Sequence, residues 1–313
     1  MNLKELNTTY DDTFVPDEQY LASMPDIQNK TFASSHAIDH VGIHNMRVPL
    51  RMRMRNGRIQ EVQARITGTV SLAAQKRGIN MSRILRTFYK SSGDVFDIDA
   101  LGEVLVNYKK DLQSFDAHIQ VNFDYYLWRN ALRSRREDGT PEGGYQYYNI
   151  TFDCNLDWKG CLTKTMVVDY VYSSACPCST ELSAHAALTR DVYGIPHSQR
   201  SCARLYITTD DFIWIEDVLD ACRTALPTET LVFCKRVDEQ AFAELNASQT
   251  KFVEDAVRYL ADALDAKPAV RDYKIICSHV ESLHSHNAIA VITAHNSRFS
   301  PGVTIDEWNA LVK

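Results

Sequence analysis

Alternating apolar and polar positions predict strands in the first half of the chain. Between 59 and 73, apolar side chains recur at every second position, as Val62 and Ile66 illustrate, with polar residues between them. This period of two is typical of a half-buried strand. A strand over 41–54 precedes it, and Asn56-Gly57 predicts a hairpin between the two. Further strands are predicted over 118–132 and 146–156, separated by a polar surface loop over 133–144.

A period of about 3.6 residues predicts two helices after the first strand pair. The clearer one covers 97–113, where Leu101 and Leu105 share one apolar face, and a helix over 81–90 precedes it. Each half of the chain then has the order strand-strand-helix-helix-strand-strand, which predicts an internal duplication of the α+β class, with antiparallel sheets and helices on one face. The second half has strands over 162–172 and 200–208, helices over 212–226 and 250–266, and strands over 273–281 and 288–294.

The same pattern predicts how the chain is divided. Residues 1–40 show the weakest periodicity, and we expect them to form an extended N-terminal arm. A first module is predicted over 41–158 and a second over 159–313. The second module holds most of the residues that are suited to metal binding or catalysis.

Composition and charge exclude several classes of protein. Of the 313 residues, 45% are hydrophobic and 24% charged, which is typical of a soluble globular protein. Lys and Arg number 34 against 40 Asp and Glu, a formal net charge of −6, whereas dedicated nucleic-acid binders are usually basic. No apolar run approaches the roughly 18 residues of a membrane helix, and the N-terminal segment lacks the features of an export signal. We therefore expect a cytoplasmic protein that binds neither nucleic acid nor membranes.

The eight cysteines all lie between positions 154 and 277. Because thiols stay reduced in the cytoplasm, a disulfide framework is not expected. Most of them stand among apolar residues and are interpreted as small core side chains. Cys176 and Cys178 differ, because Pro177 between them stiffens the turn and orients both sulfur atoms.

The residues best suited to chemistry are cysteines, histidines and glutamates of the second half. Imidazole and thiolate are good ligands for borderline divalent metals, and a site with three protein ligands and an open position lowers the pKa of a bound water. Taken singly, each candidate also fits an ordinary structural role, such as a solvated strand end or a polar helix position. Spacing alone does not show that their segments meet. The candidates are Cys176, Cys178, His197, Glu239, Glu254, Glu281, His284 and His286.

Nine short segments, read in order, resemble those of one known family, the type IB GTP cyclohydrolases of prokaryotes. The resemblance extends from about residue 25 to about residue 295. No single segment is decisive, but nine in the same order make chance similarity improbable. The segments are 25–29 (PDIQN), 41–43 (VGI), 47–49 (RVP), 81–83 (MSR), 176–179 (CPCS), 197–201 (HSQRS), 235–239 (KRVDE), 252–255 (FVED) and 281–286 (ESLHSH).

The resemblance implies a fold and an activity. The fold is the tunnelling fold, duplicated within one chain, in agreement with the order of elements above. The implied assembly is a homotetramer with active sites at subunit interfaces. The implied enzyme is GTP cyclohydrolase I, a hydrolase acting on cyclic amidines. With GTP and water as substrates, it opens the imidazole ring of guanine and gives formate and 7,8-dihydroneopterin triphosphate, in the first step of tetrahydrofolate biosynthesis.

The resemblance also implies a role for each candidate, carried over residue by residue. The cofactor is a divalent metal, either Mn, Zn or Fe. His197 is implied to be an active-site residue that acts as an acid/base or as a further ligand. The remaining sets are Cys176, Glu239 and His284 as metal ligands, Cys178 as a catalytic thiol, Glu254, Arg200 and Lys235 as residues that bind the guanine edge and the triphosphate, and Glu281 and His286 as neighbours of the metal.

The chain departs from the family's pattern in places. The segment between Cys178 and His197 is longer than the resemblance leads us to expect, and Asn287 stands where an Asp usually follows the second histidine. Two other functions therefore stay open. One is a metal-free nitrile reductase of the same fold that acts on a 7-deazaguanine through a thiol, although it needs no imidazole cluster. The other is a non-catalytic protein that binds purines or zinc.

Overall fold

A computed structural model describes residues 10–28, 30–93 and 95–311 of the protein. Over this range the strands form one eight-stranded sheet in which each strand pairs antiparallel with the next along the chain. The predicted arm over 1–40 includes residues 1–9 and 29, which lie outside the described residues. The strands are β1 (Ile38–Arg53), β2 (Ile59–Leu72), β3 (Ala117–Arg135), β4 (Pro141–Leu156), β5 (Leu162–Ala175), β6 (Ser198–Thr209), β7 (Val270–His279) and β8 (Ala288–Thr293).

The helices confirm the predicted order in each half and add to it. Two helices stand between the second and third strands of the first half, as expected. Three further helices in the second half, over 177–190, 236–248 and 305–311, escaped the sequence analysis, as did a short helix over 18–23 within the arm that was predicted to be extended. The first of them buries no side chain and the second buries only Asp238 and Ala241, so neither leaves a clear apolar period. The helices are α1 (Glu18–Ser23), α2 (Met81–Ser91), α3 (Ala100–Leu112), α4 (Pro177–Arg190), α5 (Ile215–Ala225), α6 (Arg236–Ser248), α7 (Val253–Asp265) and α8 (Ile305–Leu311).

The main core lies between one face of the sheet and the helices α2, α3, α5 and α7. Burying one large apolar side chain contributes about 1.5–3 kcal/mol, and this core is continuous across both halves. Gly68 of β2 permits close packing, because a Cβ atom there would lie 3.0 Å from the Tyr108 hydroxyl and 3.2 Å from Ile84 Cγ2. Fully buried side chains from the helices include Phe88, Leu105, Leu219 and Leu260.

Helix α8 packs on the opposite face of the sheet. Ile276 lies between Ile275 and Cys277, which both belong to the main core, so its side chain points to the other face. There it is buried with Cys202 and with Leu311 of α8. The prediction of helices on one face therefore holds for the helices of the main core, and the C-terminal helix forms a small second core.

The prediction of a polar loop over 133–144 is wrong. Strand β3 continues to Arg135, which pairs with Pro141 of β4, so the turn is limited to 136–140 with Gly139 at a positive φ of 80°. Polar composition was misleading here, because the backbone amides of Arg133 and Ser134 are satisfied by a buried carboxylate, that of Asp238. The hairpin predicted at Asn56-Gly57 is confirmed between β1 and β2.

Candidate functional site

Three neighbouring strands bring distant candidate residues together at one end of the sheet, where these strands begin or end. Because β5, β6 and β7 are antiparallel neighbours, the end of β5, the start of β6 and the end of β7 lie together, as the pairs Ala175–Ser198 and Ser201–His279 record. Cys176 follows β5, His197 precedes β6 and Glu281 follows β7. We call this region, formed by the end of β5, the start of β6 and the end of β7, the edge site.

The two cysteines of the edge site lie at the start of α4. Pro177 is the first helical residue. The N–H at this position has no partner within a helix, so the lack of an N–H in proline costs no hydrogen bond. Cys176 precedes the helix, and its amide donates to the carbonyl oxygen of His197 at 3.2 Å. Its own carbonyl accepts a bond from the Thr180 amide at 3.0 Å. Cys178 lies in the first turn, where it is exposed.

His197 and Glu281 face each other across the edge site. His197 Nδ1 lies 3.4 Å from Glu281 Oε2 and 3.2 Å from Gln199 Oε1. The Gln199 amide donates to Glu281 Oε1 at 3.4 Å and to Ser174 Oγ at 2.9 Å. Ser174 in turn shares a bond of 2.8 Å with Ser201. The result is a polar network that connects the ends of β5, β6 and β7.

A buried layer of polar side chains lies beneath this network. His279 Nε2 is 3.0 Å from the Tyr172 hydroxyl, and His279 Nδ1 is 3.9 Å from Glu281 Oε1. Lys251, only 3% exposed, donates to Thr228 Oγ1 at 3.2 Å and to the carbonyl oxygen of Gln249. Burial lowers the pKa of Lys251 to about 8. Burial, together with the charge of Lys251, lowers the pKa of His279 to about 4.

Glu239 lies in the first turn of α6 and is exposed. Its neighbour Asp238 is fully buried and accepts bonds from the amides of Arg133 at 2.7 Å, Ser134 at 2.9 Å and Lys235 at 2.9 Å, and from the Ser134 hydroxyl. Although burial opposes ionisation, these bonds hold the pKa of Asp238 well below its ordinary value. Asp238 thereby fixes the start of α6, and with it the position of Glu239, against the end of β3.

The three candidates for substrate binding lie on different elements. Glu254 is exposed in the first turn of α7, and Arg200 is exposed on β6, where it pairs with Ser173. Lys235 immediately precedes α6, and its ammonium lies 2.6 Å from the carboxylate of Glu142. A phosphate group would therefore compete with Glu142 for Lys235.

His284 and His286 lie in the turn between β7 and β8, where both are exposed. Their rings are stacked, with centroids 4.8 Å apart and an interplanar angle of 13°. The two imidazoles thus share one side of the turn, whereas Glu281 points toward His197. Within residues 10–28, 30–93 and 95–311 of a single chain, no three His, Cys, Asp or Glu side chains are grouped so as to hold a metal ion. The predicted ligands Cys176, Glu239 and His284 are therefore not assembled by one chain.

Sequence analysis did not identify the residues that connect the edge site to the core. Gln199 stands within a segment that carries the family resemblance, so its presence was visible but its role was not. Ser174 and His279 lie in continuously buried stretches at the ends of β5 and β7 and resemble ordinary core positions. Lys251 lies just before a helix, where a lysine is usually solvated, and only the packing of Gln249 and Thr228 around it shows that it is buried.

The low pKa of His279 is expected to make the protein less stable in mild acid. The imidazole binds a proton near pH 6.5 when unfolded but only near pH 4 when folded, so the unfolded chain takes up more protons in this window. This stabilisation is complete above pH 6.5 and is lost as the pH falls to 4. The difference corresponds to about 3 kcal/mol of unfolding free energy.

Urea unfolding of the wild type and of His279→Gln between about pH 7 and about pH 4 measures this contribution. The variant should lose less stability than the wild type as the pH falls. His295→Gln, at an exposed position in the turn after β8, is the matched control and should behave as the wild type does. Parallel loss of stability in His279→Gln and the wild type would rule out the assignment to His279.

The topology defines the class of the protein as a tunnelling-fold protein of the α+β type. The crystal structure of uricase from Arthrobacter globiformis is similar to it, with a TM-score of 0.50 over 84% of this chain and 96% of that chain. The sequences of the two are 9% identical, so the likeness concerns the fold alone. None of the helices in the described part of the chain is long and apolar enough to cross a membrane.

Sequence comparison places the chain in a particular family within this class. Residues 24–290 match the family model described as type I GTP cyclohydrolase FolE2, and the chain belongs to that family. A protein named GTP cyclohydrolase FolE2 from Cereibacter sphaeroides is 45% identical over 295 residues, which cover 92% of this chain and 80% of the relative. A protein of the same name from a Ruegeria species is 42% identical over 99% of this chain and 85% of the relative.

Proposed function

We propose that this protein is a GTP cyclohydrolase of the FolE2 type. It uses water to open the imidazole ring of the guanine in GTP and gives 7,8-dihydroneopterin triphosphate and formate, as the first step of tetrahydrofolate biosynthesis. The observation that carries this proposal is the family match over residues 24–290. The sequence analysis predicted GTP cyclohydrolase I, a hydrolase acting on cyclic amidines. The family match makes this more specific, because the matched type I family is FolE2. We place the enzyme in the cytoplasm.

The edge site supports this reaction because it combines a thiol, an imidazole and a carboxylate. His197 is 16% exposed, so its ring remains accessible while its Nδ1 faces Glu281. It is suited to move a proton to or from the opening ring, and such general acid/base catalysis typically contributes ~10²–10⁴-fold in rate. Cys178 is exposed in the first turn of α4, next to Ser179, whose hydroxyl accepts a bond from the His197 amide at 3.3 Å, and it is assigned as the catalytic thiol.

A divalent metal is the cofactor in this proposal, with Cys176, Glu239 and His284 as its ligands. A thiolate, a carboxylate and an imidazole form a donor set that suits Zn, Mn or Fe. When bound, the metal lowers the pKa of water and so permits hydrolysis at neutral pH. His286, stacked on His284, and Glu281 would be neighbours of the metal.

The substrate is held through its two polar ends. Glu254 is exposed in the first turn of α7, and its carboxylate suits the two N–H donors on the guanine edge. Arg200 and Lys235 are assigned to the triphosphate, Lys235 by exchanging its contact with Glu142.

A homotetramer with active sites at subunit interfaces completes the proposal. Helix α4 carries Cys178, yet none of its side chains is buried within one chain. Leu188 on this helix is 87% exposed, and Ile195, just after it, is 79% exposed. A helix gains most of its stability by burying one face, so α4 needs a partner surface. A second copy of the chain supplies that surface and brings further groups to the edge site.

Leu188→Asp is therefore expected to weaken the assembly and to lower the activity with it. A charge placed in an apolar interface is desolvated only when the subunits assemble. The penalty therefore destabilises the assembly relative to the separate chains. Light scattering coupled to gel filtration should show a smaller mass at the same protein concentration. Val106→Asp, at an exposed position on α3, is the control. If the Leu188→Asp variant keeps its full assembled mass and full activity, α4 does not form part of the interface.

The function itself is tested by incubating purified protein with GTP and added Mn²⁺ or Zn²⁺. Oxidation and dephosphorylation of the product should yield a fluorescent pterin, and formate should appear in equal amount. A parallel reaction with a 7-deazaguanine nitrile and NADPH separates the reductase of the same fold, which would consume NADPH without metal. Binding of GTP and zinc with no turnover would indicate a non-catalytic protein, and either of these two results would replace the proposed function.

A further inference from the structure

A cleft between α2 and α3, in the first half of the chain, holds a row of positive charge. Its volume is about 370 Å³, and we call it the basic cleft; it is lined by Arg83, Arg86, Thr87, Lys90 and Asp111. Arg83, Arg86 and Lys90 are exposed, and their spacings of three and four residues place them on one face of α2. Since a helix rises about 1.5 Å per residue, the row extends over roughly 10 Å.

Two hydrogen bonds fix the basic cleft before any ligand binds. Thr87 is only 4% exposed, and its hydroxyl donates to Asp111 Oδ2 at 2.8 Å. Arg83 Nη1 donates to the carbonyl oxygen of Asp111 at 2.9 Å, which leaves the other N–H groups of its guanidinium available. Both bonds join α2 to α3, so the three cations are presented by two packed helices rather than by a loop.

The positive charge of the basic cleft is not balanced by neighbouring carboxylates. Among the described residues, none of Arg83, Arg86 and Lys90 forms an ion pair. Asp111 is the acidic residue that lines the cleft, and it compensates for one of the three charges at most. Like charges three or four residues apart repel each other on a helix. An anion bound in the cleft would remove this repulsion.

The sequence around the basic cleft shows the same imbalance. Residues 62–93 include six Lys and Arg and no Asp or Glu, although the whole chain has a formal net charge of −6. The cleft is therefore a local region of positive charge on an acidic protein. Such a region attracts a small anion, whereas the acidic remainder of the surface repels the long backbone of a nucleic acid.

We propose that the basic cleft binds a chain of phosphate groups, either an inorganic oligophosphate or the phosphate end of a nucleotide. The planar guanidinium groups of Arg83 and Arg86 match the oxygens of phosphate in two-point contacts, and Lys90 supplies a point charge farther along the row. A single small anion contacts only part of a row of this length, whereas a chain of phosphates meets all three cations. The proposal does not rest on the proposed function, because binding requires neither turnover nor metal.

Calorimetric titration with inorganic triphosphate tests the proposal. It uses an Arg200→Gln/Lys235→Gln variant without metal, the background variant, so that the cations assigned to the substrate do not contribute. We expect saturable binding at low ionic strength that weakens as salt is added. The further change Arg86→Gln/Lys90→Gln should raise the Kd by about 10–100-fold, because two charged contacts at exposed positions are lost. Absence of binding in the background variant, or an unchanged Kd after the further change, would overturn the proposal.

Two control variants in the same background make the result specific. Asp111→Asn removes the carboxylate that lines the cleft and keeps an acceptor for the Thr87 hydroxyl, so it should lower the Kd roughly 2–5-fold. Arg58→Gln, exposed in the turn between β1 and β2, should leave the Kd unchanged.

Urea unfolding separates lost binding from damage to the fold. Without triphosphate, the protein with the Arg86→Gln/Lys90→Gln change should be no less stable than the background variant, because repulsion along α2 is reduced. Added triphosphate should stabilise the background variant and not the protein with the further change, since a ligand stabilises only the folded state that binds it. Equal stabilisation of both proteins would place the binding site elsewhere and overturn the proposal.

Steady-state kinetics on the otherwise wild-type protein identify the source of the phosphate chain. If Arg86→Gln/Lys90→Gln raises KM for GTP, the basic cleft holds the triphosphate of the substrate, and if KM is unchanged, it binds a separate oligophosphate. A wild type that makes no pterin would overturn the proposed function, and the titration would still decide the cleft. A DNA oligonucleotide that binds the background variant more tightly than triphosphate, and does so through Arg86 and Lys90, would assign the cleft to nucleic acid and overturn the proposal.

Discussion

Replacement of Cys178 by alanine, or of His284 by alanine, is expected to abolish pterin formation from GTP. Cys178 is assigned as the catalytic thiol and His284 as a metal ligand, so each change removes a group on which the proposed reaction depends. Loss of acid/base catalysis alone costs ~10²–10⁴-fold, and loss of a ligand also weakens metal binding. Rates are measured by pterin fluorescence, and bound metal by elemental analysis.

Two control variants separate these effects from general damage. Cys161→Ala removes an exposed thiol in the turn between β4 and β5, and His295→Ala removes an exposed imidazole in the turn after β8. Both should retain wild-type activity. Full activity in Cys178→Ala or His284→Ala would refute the assigned role of that residue, and His284→Ala should in addition contain less metal than the wild type.

Glu254→Gln is expected to reduce kcat/KM for GTP by roughly 10–100-fold, because the two N–H donors of the guanine edge lose a charged acceptor. The selectivity for guanine should fall with it. Inosine triphosphate lacks the exocyclic amino group, so the ratio of the rates with the two nucleotides should be large in the wild type and close to one in the variant.

The position of Glu254 makes this variant easy to interpret. Its side chain is exposed, so substitution should change the free energy of unfolding by no more than about 0.5 kcal/mol. Glu103→Gln is the matched control, since Glu103 is also an exposed glutamate in the first turn of a helix, α3, in the other half of the chain. If Glu254→Gln keeps both its rate and its selectivity, the guanine edge is bound elsewhere.

The duplicated order of strands and helices was predictable because burial is periodic along the chain. Strand β2 alternates buried and exposed side chains along most of its length, and α3 buries one face, so both elements are visible in the pattern of side chains. Helix α4 was missed for the opposite reason. It has no buried face within one chain, and a helix of this kind leaves no apolar period to detect.

The candidate site was predictable only in part. The residue types that suit a metal and a purine were visible, and the family resemblance supplied their roles. The supporting residues were not visible, because the sequence alone does not distinguish a buried lysine such as Lys251 from a solvated lysine on the surface. What distinguishes Lys251 is the backbone carbonyl of Gln249 and the hydroxyl of Thr228 placed around its ammonium.

The sequence by itself determined the order of the strands and of the helices of the main core, the α+β class and the membership in a family, since each of these depends on local periodicity or on short segments in order. Tertiary structure alone decided that Cys176, His197 and Glu281 lie together, although 105 positions separate the first from the last. The physical reason is the antiparallel pairing of β5, β6 and β7, which joins the end of one strand to the start of the next. That pairing also places the carboxylate of Glu281, which is only 12% exposed, between the imidazoles of His197 and His279.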